Sequence, residues 1–178
     1  MNKKILYSDK VLFRGELSRC SREDEIRAIR DIDIRRNAIL NCLEREFDVD
    51  FAGPLEFGVV NLISEKLKDL EPYVGMVSHF PYDKDFLDSD KVMSMKGDEV
   101  RKRMYKPSFD IIKKIKTINS DLIMLAYTGS SSGESDDPSS LAMNQMLTEA
   151  GFRDIVYKTR DCNRDGMLIL EKIKKLIG

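Results

Sequence analysis

Histidine and cysteine are scarce in this sequence of 178 residues, and neither is spaced for a metal centre or a disulfide framework. The chain has one histidine and three cysteines, Cys20, Cys42 and Cys162, and it contains no CxxC pair. A zinc site or a disulfide-stabilised domain needs closely spaced ligands or an even set of thiols. The cysteines are therefore predicted to be reduced thiols, as in a cytosolic protein.

Long apolar runs and a charge of one sign are also missing. No window approaches the roughly 18 apolar residues that a membrane span needs, and the apolar run after the first lysines is too short for a signal peptide. The net charge is −1, so the composition gives no electrostatic reason to expect nucleic acid or an anionic membrane as a partner. We expect a cytoplasmic protein that binds neither.

Two ligand-binding motifs are absent in their full form. The loop at residues 128–133 (TGSSSG) lacks the GxxxxGK[ST] pattern and its lysine, which disfavours nucleotide binding. The acidic residues 83, 85, 88 and 90 lack the central glycine and the terminal glutamate of an EF-hand. We interpret that acidic stretch as a solvated loop.

The sequence does contain a β-α-β pattern over residues 121–158. An apolar run at 122–127 is followed by a polar loop, a helical pattern that stops at Gly151 and a second apolar run at 155–157. This spacing of apolar residues, together with the polar loop and the glycine stop, indicates a strand, a helix and a parallel strand. Because ligands and chemistry collect at the carboxyl ends of such strands, we expect the function there.

The same alternation extends along the chain. Further strands are predicted at residues 4–8, 47–52 and 73–77, with helices between the strands and a last helix at 167–177. Five strands and five helices predict one α/β domain, residues 1–178, with a doubly wound, flavodoxin-like parallel sheet in the order 2-1-3-4-5 and helices on both faces. Two stretches, about 10–32 and 82–106, are predicted to be insertions.

Five polar residues end or follow the strands that meet at one edge of this predicted sheet. The right-handed crossover rule places the ends of strands one, three, four and five around one pocket mouth. The residues delivered there are Asp9, Ser78, His79, Thr128 and Lys158. Ser78 and His79 are not a catalytic dyad, because neighbours on a strand face opposite ways.

Three segments resemble receiver domains of bacterial two-component signalling. PSFDIIKKIKTINSDLIMLAYTGSS, from residue 107, resembles the segment after the phosphorylation site, and LTEAGFRDIVYK resembles the segment that leads to the family's invariant lysine. DIRRNAILNCLEREFDVDFA, from residue 33, resembles the first receiver helix and second strand. Roughly two thirds of the chain is covered. The resemblance implies the flavodoxin-like fold of response regulators.

The resemblance also implies roles for two of the strand-end residues. Lys158 matches the lysine that contacts the phosphoryl group, although Thr159 follows it where the family usually has proline. Asp9 matches one of the paired acids that hold magnesium, but Lys10 stands beside it. One carboxylate next to a lysine is a poor magnesium site, because Mg²⁺ needs several oxygen ligands. Magnesium at Asp9 is the one cofactor that the resemblance implies.

The phospho-accepting aspartate is missing at the end of the third strand. That position holds Ser78 or His79, and Asp83, the nearest acid, is the alternative acceptor. The family's switch Thr/Ser position falls on Ala126. Thr128, two residues on and on the same strand face, substitutes for it if the strand runs slightly longer.

Three functions follow as hypotheses. The first is a divergent, pseudo-receiver signalling domain with an eroded phosphorylation pocket, which binds a histidine kinase or an output protein of a phosphorelay through the fourth strand, the helix after it and the fifth strand. The second is a small enzyme or ligand-binding protein on the same scaffold. The third is an oligomerisation module in which the helix at 21–43 pairs with its copy in a homodimer.

Overall fold

A computed structural model of the protein describes residues 3–9, 21–52, 73–79, 110, 112–128 and 138–178, without the side chains of 25, 52 and 138–143. Within these ranges the strands are β1 (Lys4–Ser8), β2 (Asp48–Ala52), β3 (Tyr73–His79), β4 (Ile123–Thr128) and β5 (Asp154–Tyr157). The helices are α1 (Arg22–Leu43), α2 (residues 112–118), α3 (Pro138–Ala150) and α4 (Cys162–Ile177).

The five strands form one parallel sheet in the order β2-β1-β3-β4-β5. This order confirms the predicted flavodoxin-like sheet. The strand bounds agree with the sequence prediction to within a residue except in β3, which runs two residues further, to His79. Residues in register across the sheet include Ser8 with Ser78 and His79 with Tyr127. The carboxyl ends of these strands therefore lie at the same edge.

Side chains alternate between the two faces of the sheet and form a core on each, as expected for parallel strands buried on both sides. One core contains residues of β1, β3 and β4 together with α2 and α3, namely Leu6, Met76, Met124, Ala126, Ile112, Ile115, Leu147 and Ala150. The other contains the alternate strand residues with α1 and α4, namely Ile5, Tyr7, Val77, Leu125, Tyr127, Ile39, Leu43, Ile169 and Ile173. Helices thus cover both faces, as predicted.

The helix α1 is continuous over 22 residues. It begins after Ser21, whose hydroxyl oxygen accepts a hydrogen bond from the Asp24 amide at 3.2 Å and so caps the helix where the sequence predicted its start. Its first half is exposed, whereas its last turns are buried. None of the helices in the described ranges is long and apolar enough to cross a membrane.

The helix α4 begins earlier than the predicted residue 167, because Asp161 caps it. The Asp161 side chain accepts hydrogen bonds from the amides of Asn163 at 2.9 Å and Arg164 at 3.2 Å. The predicted start at residue 167 is therefore five residues too late, since the helix begins at Cys162. Gly166 lies in this first part of α4 at the contact with α1, where an added Cβ would stand 2.8 Å from the Cys42 sulfur. Glycine at this position permits the close approach of the two helices.

The second predicted insertion, about 82–106, lies outside the described residues. Of the first, about 10–32, residues 21–32 are described and contain the cap and the first turns of α1. Both insertions stay predictions, as does the division of the chain into a single domain. The same is true of the helix that the sequence predicts between β2 and β3.

Candidate functional site

The structure brings the five predicted site residues to the carboxyl edge of the sheet. Asp9 directly follows β1, Ser78 and His79 end β3, Thr128 ends β4, and Lys158 directly follows β5. Asp9, Ser78 and Thr128 are buried, and the Lys158 amide donates a hydrogen bond to the Thr128 carbonyl oxygen at 2.8 Å. Their predicted proximity follows from the parallel topology alone.

The sixth candidate, Asp83, lies outside the described residues, so its role as an alternative phosphoryl acceptor stays a prediction. The strand β4 does run through Thr128. Ala126 is fully buried and Thr128 is on the same face, two residues further along. Thr128 is therefore the hydroxyl that ends the strand, and its backbone is bonded to Lys158, whose ammonium lies on the opposite, Tyr127 face of the sheet.

Asp9 lies between two groups that can donate a hydrogen bond to it. The Tyr7 hydroxyl donates to Oδ2 of Asp9, and Nδ1 of His79 lies 3.4 Å from Oδ1. Only 6% of the Asp9 side chain and 11% of the His79 side chain are exposed. Tyr7 thus holds the carboxylate by a hydrogen bond, and the His79 imidazole lies at ion-pair distance on its other side in a mostly buried place.

Tyr7 is a permanent donor in this arrangement. Burial raises the pKa of its hydroxyl far above the usual value, and the charge of Asp9 raises that pKa further. A neutral phenol beside a carboxylate is favoured because ionisation would place two negative charges together in a buried site. The Tyr7 hydroxyl therefore stays protonated across the physiological pH range and keeps Asp9 in position.

These contacts do not suit Asp9 to hold magnesium. Mg²⁺ requires a near-octahedral set of oxygen ligands, whereas both oxygens of Asp9 face protein neighbours, Tyr7 and His79. In the part of the chain that the structure describes, no group of three or more His, Cys, Asp or Glu side chains is placed to hold a metal ion. The described residues at this edge do not fit the cation.

Ser78 is enclosed in the sheet and faces away from His79. It is fully buried, and its hydroxyl donates a long hydrogen bond, at 3.4 Å, to the carbonyl oxygen of His79. Because Met76 and Val77 belong to opposite cores, Ser78 lies on the Met76 face and His79 on the Val77 face. The two side chains act separately, as the sequence predicted.

A second buried polar group lies behind Lys158, and sequence reasoning missed it. We call it the Asp165 cluster: Arg35, Tyr127, Thr159 and Asp165. The fully buried Asp165 carboxylate accepts hydrogen bonds from Arg35, from the Tyr127 hydroxyl at 2.7 Å, and from the amide and hydroxyl of Thr159 at 2.9 and 2.7 Å. Arg35 also donates to the Tyr127 hydroxyl at 3.1 Å. One carboxylate therefore joins α1, β4, α4 and the residues after β5.

Tyr127 connects this cluster to the strand-end residues. The Lys158 ammonium lies 5.1 Å from the centre of the Tyr127 ring, close enough for a cation–π contact. The His79 ring meets the same ring edge-on, with 6.0 Å between the centres. Burial raises the pKa of the Tyr127 hydroxyl; Asp165 raises it further, and Arg35 acts against the rise. The phenol therefore stays protonated, with its ring toward the site and its hydroxyl in the cluster.

Two signals in the sequence could have pointed to the cluster. Asp165 stands four residues before Ile169, and Arg35 stands four residues before Ile39, so both charges lie on the inward stripes of their helices. The other signal is Thr159, which replaces the proline expected after the lysine. A proline has no amide hydrogen, so it could not make the hydrogen bond that Thr159 donates to Asp165.

No protein-family model matches the sequence, and no curated protein is significantly similar to it. Among solved structures, a CheY-like response regulator receiver domain protein from Methanospirillum hungatei JF-1 is similar, with a TM-score of 0.53 and 16% identity over 99% of this chain and 94% of that chain. The BeF3-activated DrrB receiver domain has a TM-score of 0.49 with 18% identity, covering 99% of this chain and 98% of that chain. A response regulator receiver domain protein from Clostridium thermocellum has a TM-score of 0.43 with 16% identity, covering 98% of both chains. The first of these likenesses shows that the chain has the receiver fold.

Proposed function

We propose that the protein is a receiver-like signal-transduction domain of the cytoplasm, whose output is the binding of a protein partner. The observation that carries the proposal is the position of Tyr127. Its ring contacts both Lys158 and His79 at the strand ends, while its hydroxyl is bonded to Arg35 and Asp165. A change of charge at the sheet edge therefore acts on a side chain that is anchored to both α1 and α4.

The proposed stimulus is a phosphoryl group or a similar anion near Lys158. An anion there competes with the Tyr127 ring for the ammonium, so the contact between Lys158 and Tyr127 changes when the anion arrives. A local electrostatic event of this kind becomes a signal when it biases an element with two arrangements. In this proposal the element is the Tyr127 side chain with its cluster.

The proposed output surface is formed by β4, α3 and β5. This assignment rests on the receiver fold and is an analogy. It also has a physical basis, because Thr128 and Lys158 are joined by a backbone hydrogen bond at the sheet edge. Further along, the Tyr157 hydroxyl donates to the Asn144 side chain and ties β5 to α3. The partner, a histidine kinase or an output protein, would contact this surface.

Amide NMR of the whole chain tests the proposal. The protein is treated separately with beryllofluoride plus Mg²⁺, with acetyl phosphate and with phosphoramidate. We expect at least one treatment to shift the amides of Tyr127, Thr128 and Lys158 and, through them, those of Asn144 and Tyr157. The variant Lys158→Ala should lose the shifts at the output surface.

A matched variant controls for loss of a positive charge. Lys175 is exposed on the last turn of α4, so Lys175→Ala should respond like the unaltered chain. Spectra that stay unchanged with all three reagents would overturn the proposal, as would shifts confined to the sheet edge. In either case the alternative of a small enzyme or ligand-binding protein would become the better hypothesis.

One observation favours oligomerisation as a second role. Two large apolar side chains on α1, Ile26 and Ile34, are 46% and 49% exposed, and exposed apolar surface is a feature of sites where proteins associate. A homodimer through α1 would cover them. Sedimentation of the whole chain beside the Ile26→Glu/Ile34→Glu variant tests this role, which fails if both remain monomeric at high concentration.

A further inference from the structure

We propose that His79 is the phosphoryl acceptor of this domain and that Asp9 is the residue that positions it. The inference rests on the proposed signalling function and deepens it. His79 is the last residue of β3, at the edge where the strand ends converge. Of the side chains there, Ser78 is fully buried and Asp9 is engaged by Tyr7. His79 is a nucleophile in the same place with a small part of its side chain, 11%, exposed.

The Asp9 carboxylate organises the imidazole. Nδ1 of His79 is buried, and it lies 3.4 Å from Oδ1 of Asp9, an ion-pair distance rather than an aligned hydrogen bond. The exposed part of the side chain belongs to its other atoms. A carboxylate facing Nδ1 favours the tautomer that carries its hydrogen on that nitrogen. The lone pair of the neutral ring is then on Nε2. The orientation of the imidazole by Asp9 cannot be read from the sequence around Ser78 and His79.

The surroundings fit the charge that phosphoryl transfer creates. Phosphorylation of Nε2 makes the ring positive, because Nδ1 still carries its hydrogen, and the Asp9 carboxylate offsets that charge. The phosphoryl oxygens are negative, and Lys158 supplies a cation at the same edge of the sheet, where its ammonium and the His79 ring both contact the Tyr127 ring. Positioning and charge stabilisation of this kind are the main requirements of phosphoryl transfer.

The proposed donor is a phosphoramidate, a phosphoryl group bound to nitrogen, as in a phosphorylated histidine of a partner protein. The Nε2 lone pair attacks phosphorus and forms a new N–P bond. The donor's P–N bond breaks and its electron pair stays on the donor nitrogen. That nitrogen takes up a proton from solvent water and leaves. No oxidant or reductant is needed, and the number of phosphoryl groups is unchanged.

The chain's single histidine makes the test selective. The whole protein is incubated with phosphoramidate, and its intact mass is followed over time. A phosphoryl group on His79 is stable in alkali and lost in acid, whereas an acyl phosphate on an aspartate is cleaved by alkali or hydroxylamine and phosphoserine survives acid. We expect an alkali-stable, acid-labile modification that is absent from the folded variant His79→Gln.

The rate decides whether the site is built for the reaction or merely contains an imidazole. The urea-unfolded chain provides the reference rate of an ordinary histidine. The folded chain should react at least about tenfold faster, which is the lower end of what a carboxylate partner contributes to a metal-bound histidine. Asp9→Asn should lose this acceleration, and Asp9→Glu should restore part of it. Asp154→Asn, the same change at the opposite edge of the sheet, should react like the unaltered chain.

Several results would overturn the inference. They are a folded rate equal to or below the unfolded rate, an unchanged rate in Asp9→Asn, or a phosphate with the lability of an acyl phosphate or a serine ester. The proposed function fails separately. If His79 is modified but the Asn144 and Tyr157 amides do not shift, the acceptor assignment stands and signalling through that surface does not; an aspartyl phosphate that shifts them gives the reverse result.

Discussion

Asp165 shows how much a single buried carboxylate can connect. Its oxygens accept hydrogen bonds from Arg35, Tyr127 and Thr159. The Asp165 side chain is fully buried, whereas the Arg35 side chain is 22% exposed. Burying a charge is costly unless it is paired and hydrogen-bonded, and this carboxylate meets both conditions. Removing its charge would leave the arginine partly buried without a counterion.

We therefore expect Asp165→Asn to lower the free energy of unfolding by roughly 2 to 4 kcal/mol, somewhat less than the roughly 3 to 5 kcal/mol for breaking a fully buried pair, because Arg35 is 22% exposed. Urea denaturation followed by far-ultraviolet circular dichroism measures it. The control is Asp154→Asn, which alters an ion pair with Lys172 whose side chains are 40% and 34% exposed and should cost less than about 1 kcal/mol. Equal losses in the two variants would mean that the Asp165 cluster is no more stabilising than a surface pair.

Thr159 allows the same cluster to be tested at the backbone. Thr159→Ala removes the hydroxyl donor to Asp165 and should cost about 1 kcal/mol. Thr159→Pro removes the amide donor as well and should cost about 1 to 3 kcal/mol more, since a buried acceptor loses a further partner. Urea denaturation compares the two variants. A proline variant as stable as the alanine variant would contradict the role given to the amide.

At the scale of elements, the contact between α1 and α4 depends on a missing side chain. A Cβ on Gly166 would lie 2.8 Å from the Cys42 sulfur and 3.1 Å from the Ala38 carbonyl oxygen. The Ala38 carbonyl oxygen belongs to the backbone of α1 and cannot move without moving the helix. The added methyl group must therefore push α1 away from α4 or tilt the two helices. The separation would also stretch the bond between Arg35 and Asp165, which spans the same two helices.

We expect Gly166→Ala to destabilise the fold by about 1 to 3 kcal/mol through overpacking, although alanine is the better helix former by about 1 kcal/mol. Thermal unfolding measures the change. Glu171→Ala on the exposed side of α4 should change stability by no more than about 0.5 kcal/mol. A stabilised Gly166→Ala variant would show that the helices can accommodate the methyl group without strain.

The elements that the sequence predicted well are those whose signals are local. Buried parallel strands are short apolar runs, and the Ser21 cap begins α1 where the pattern placed it. The end of β3 and the start of α4 were missed because their residues are polar. Ser78 and His79 continue a ladder whose partners lie on other strands, and Asp161 begins α4 through bonds that a linear pattern does not display.

At the scale of the whole molecule, the position of the site could be predicted from the sequence, but its side-chain contacts could not. The strand order and the crossover rule are enough to bring Asp9, His79 and Lys158 to one edge. Tyr127 and the Asp165 cluster were missed because their bonds join residues 92 and 130 positions apart, as Arg35 does with Tyr127 and Asp165. Such contacts depend on how helices pack on the sheet.

Two of the buried phenols make the stability of the whole fold depend on pH in the alkaline range. Tyr7 and Tyr127 are fully buried, and burial is the first cause of their raised pKa values in the folded state. In the unfolded chain a tyrosine has a pKa of about 10. Below that pH both states keep the proton; above it only the unfolded state loses it, so stability must fall as the pH rises.

We expect the free energy of unfolding to decrease above pH 10 by about 1.4 kcal/mol per pH unit for each of the two tyrosines. Urea titrations between neutral pH and the alkaline transition measure the slope, and tyrosinate absorbance should show that these phenols ionise only as the fold is lost. Tyr127→Phe removes one titrating group, so the slope should become shallower by the contribution of one proton although the variant is less stable at neutral pH. An unchanged slope would mean that Tyr127 ionises within the folded state, where the Asp165 carboxylate and the surrounding core make that ionisation unfavourable.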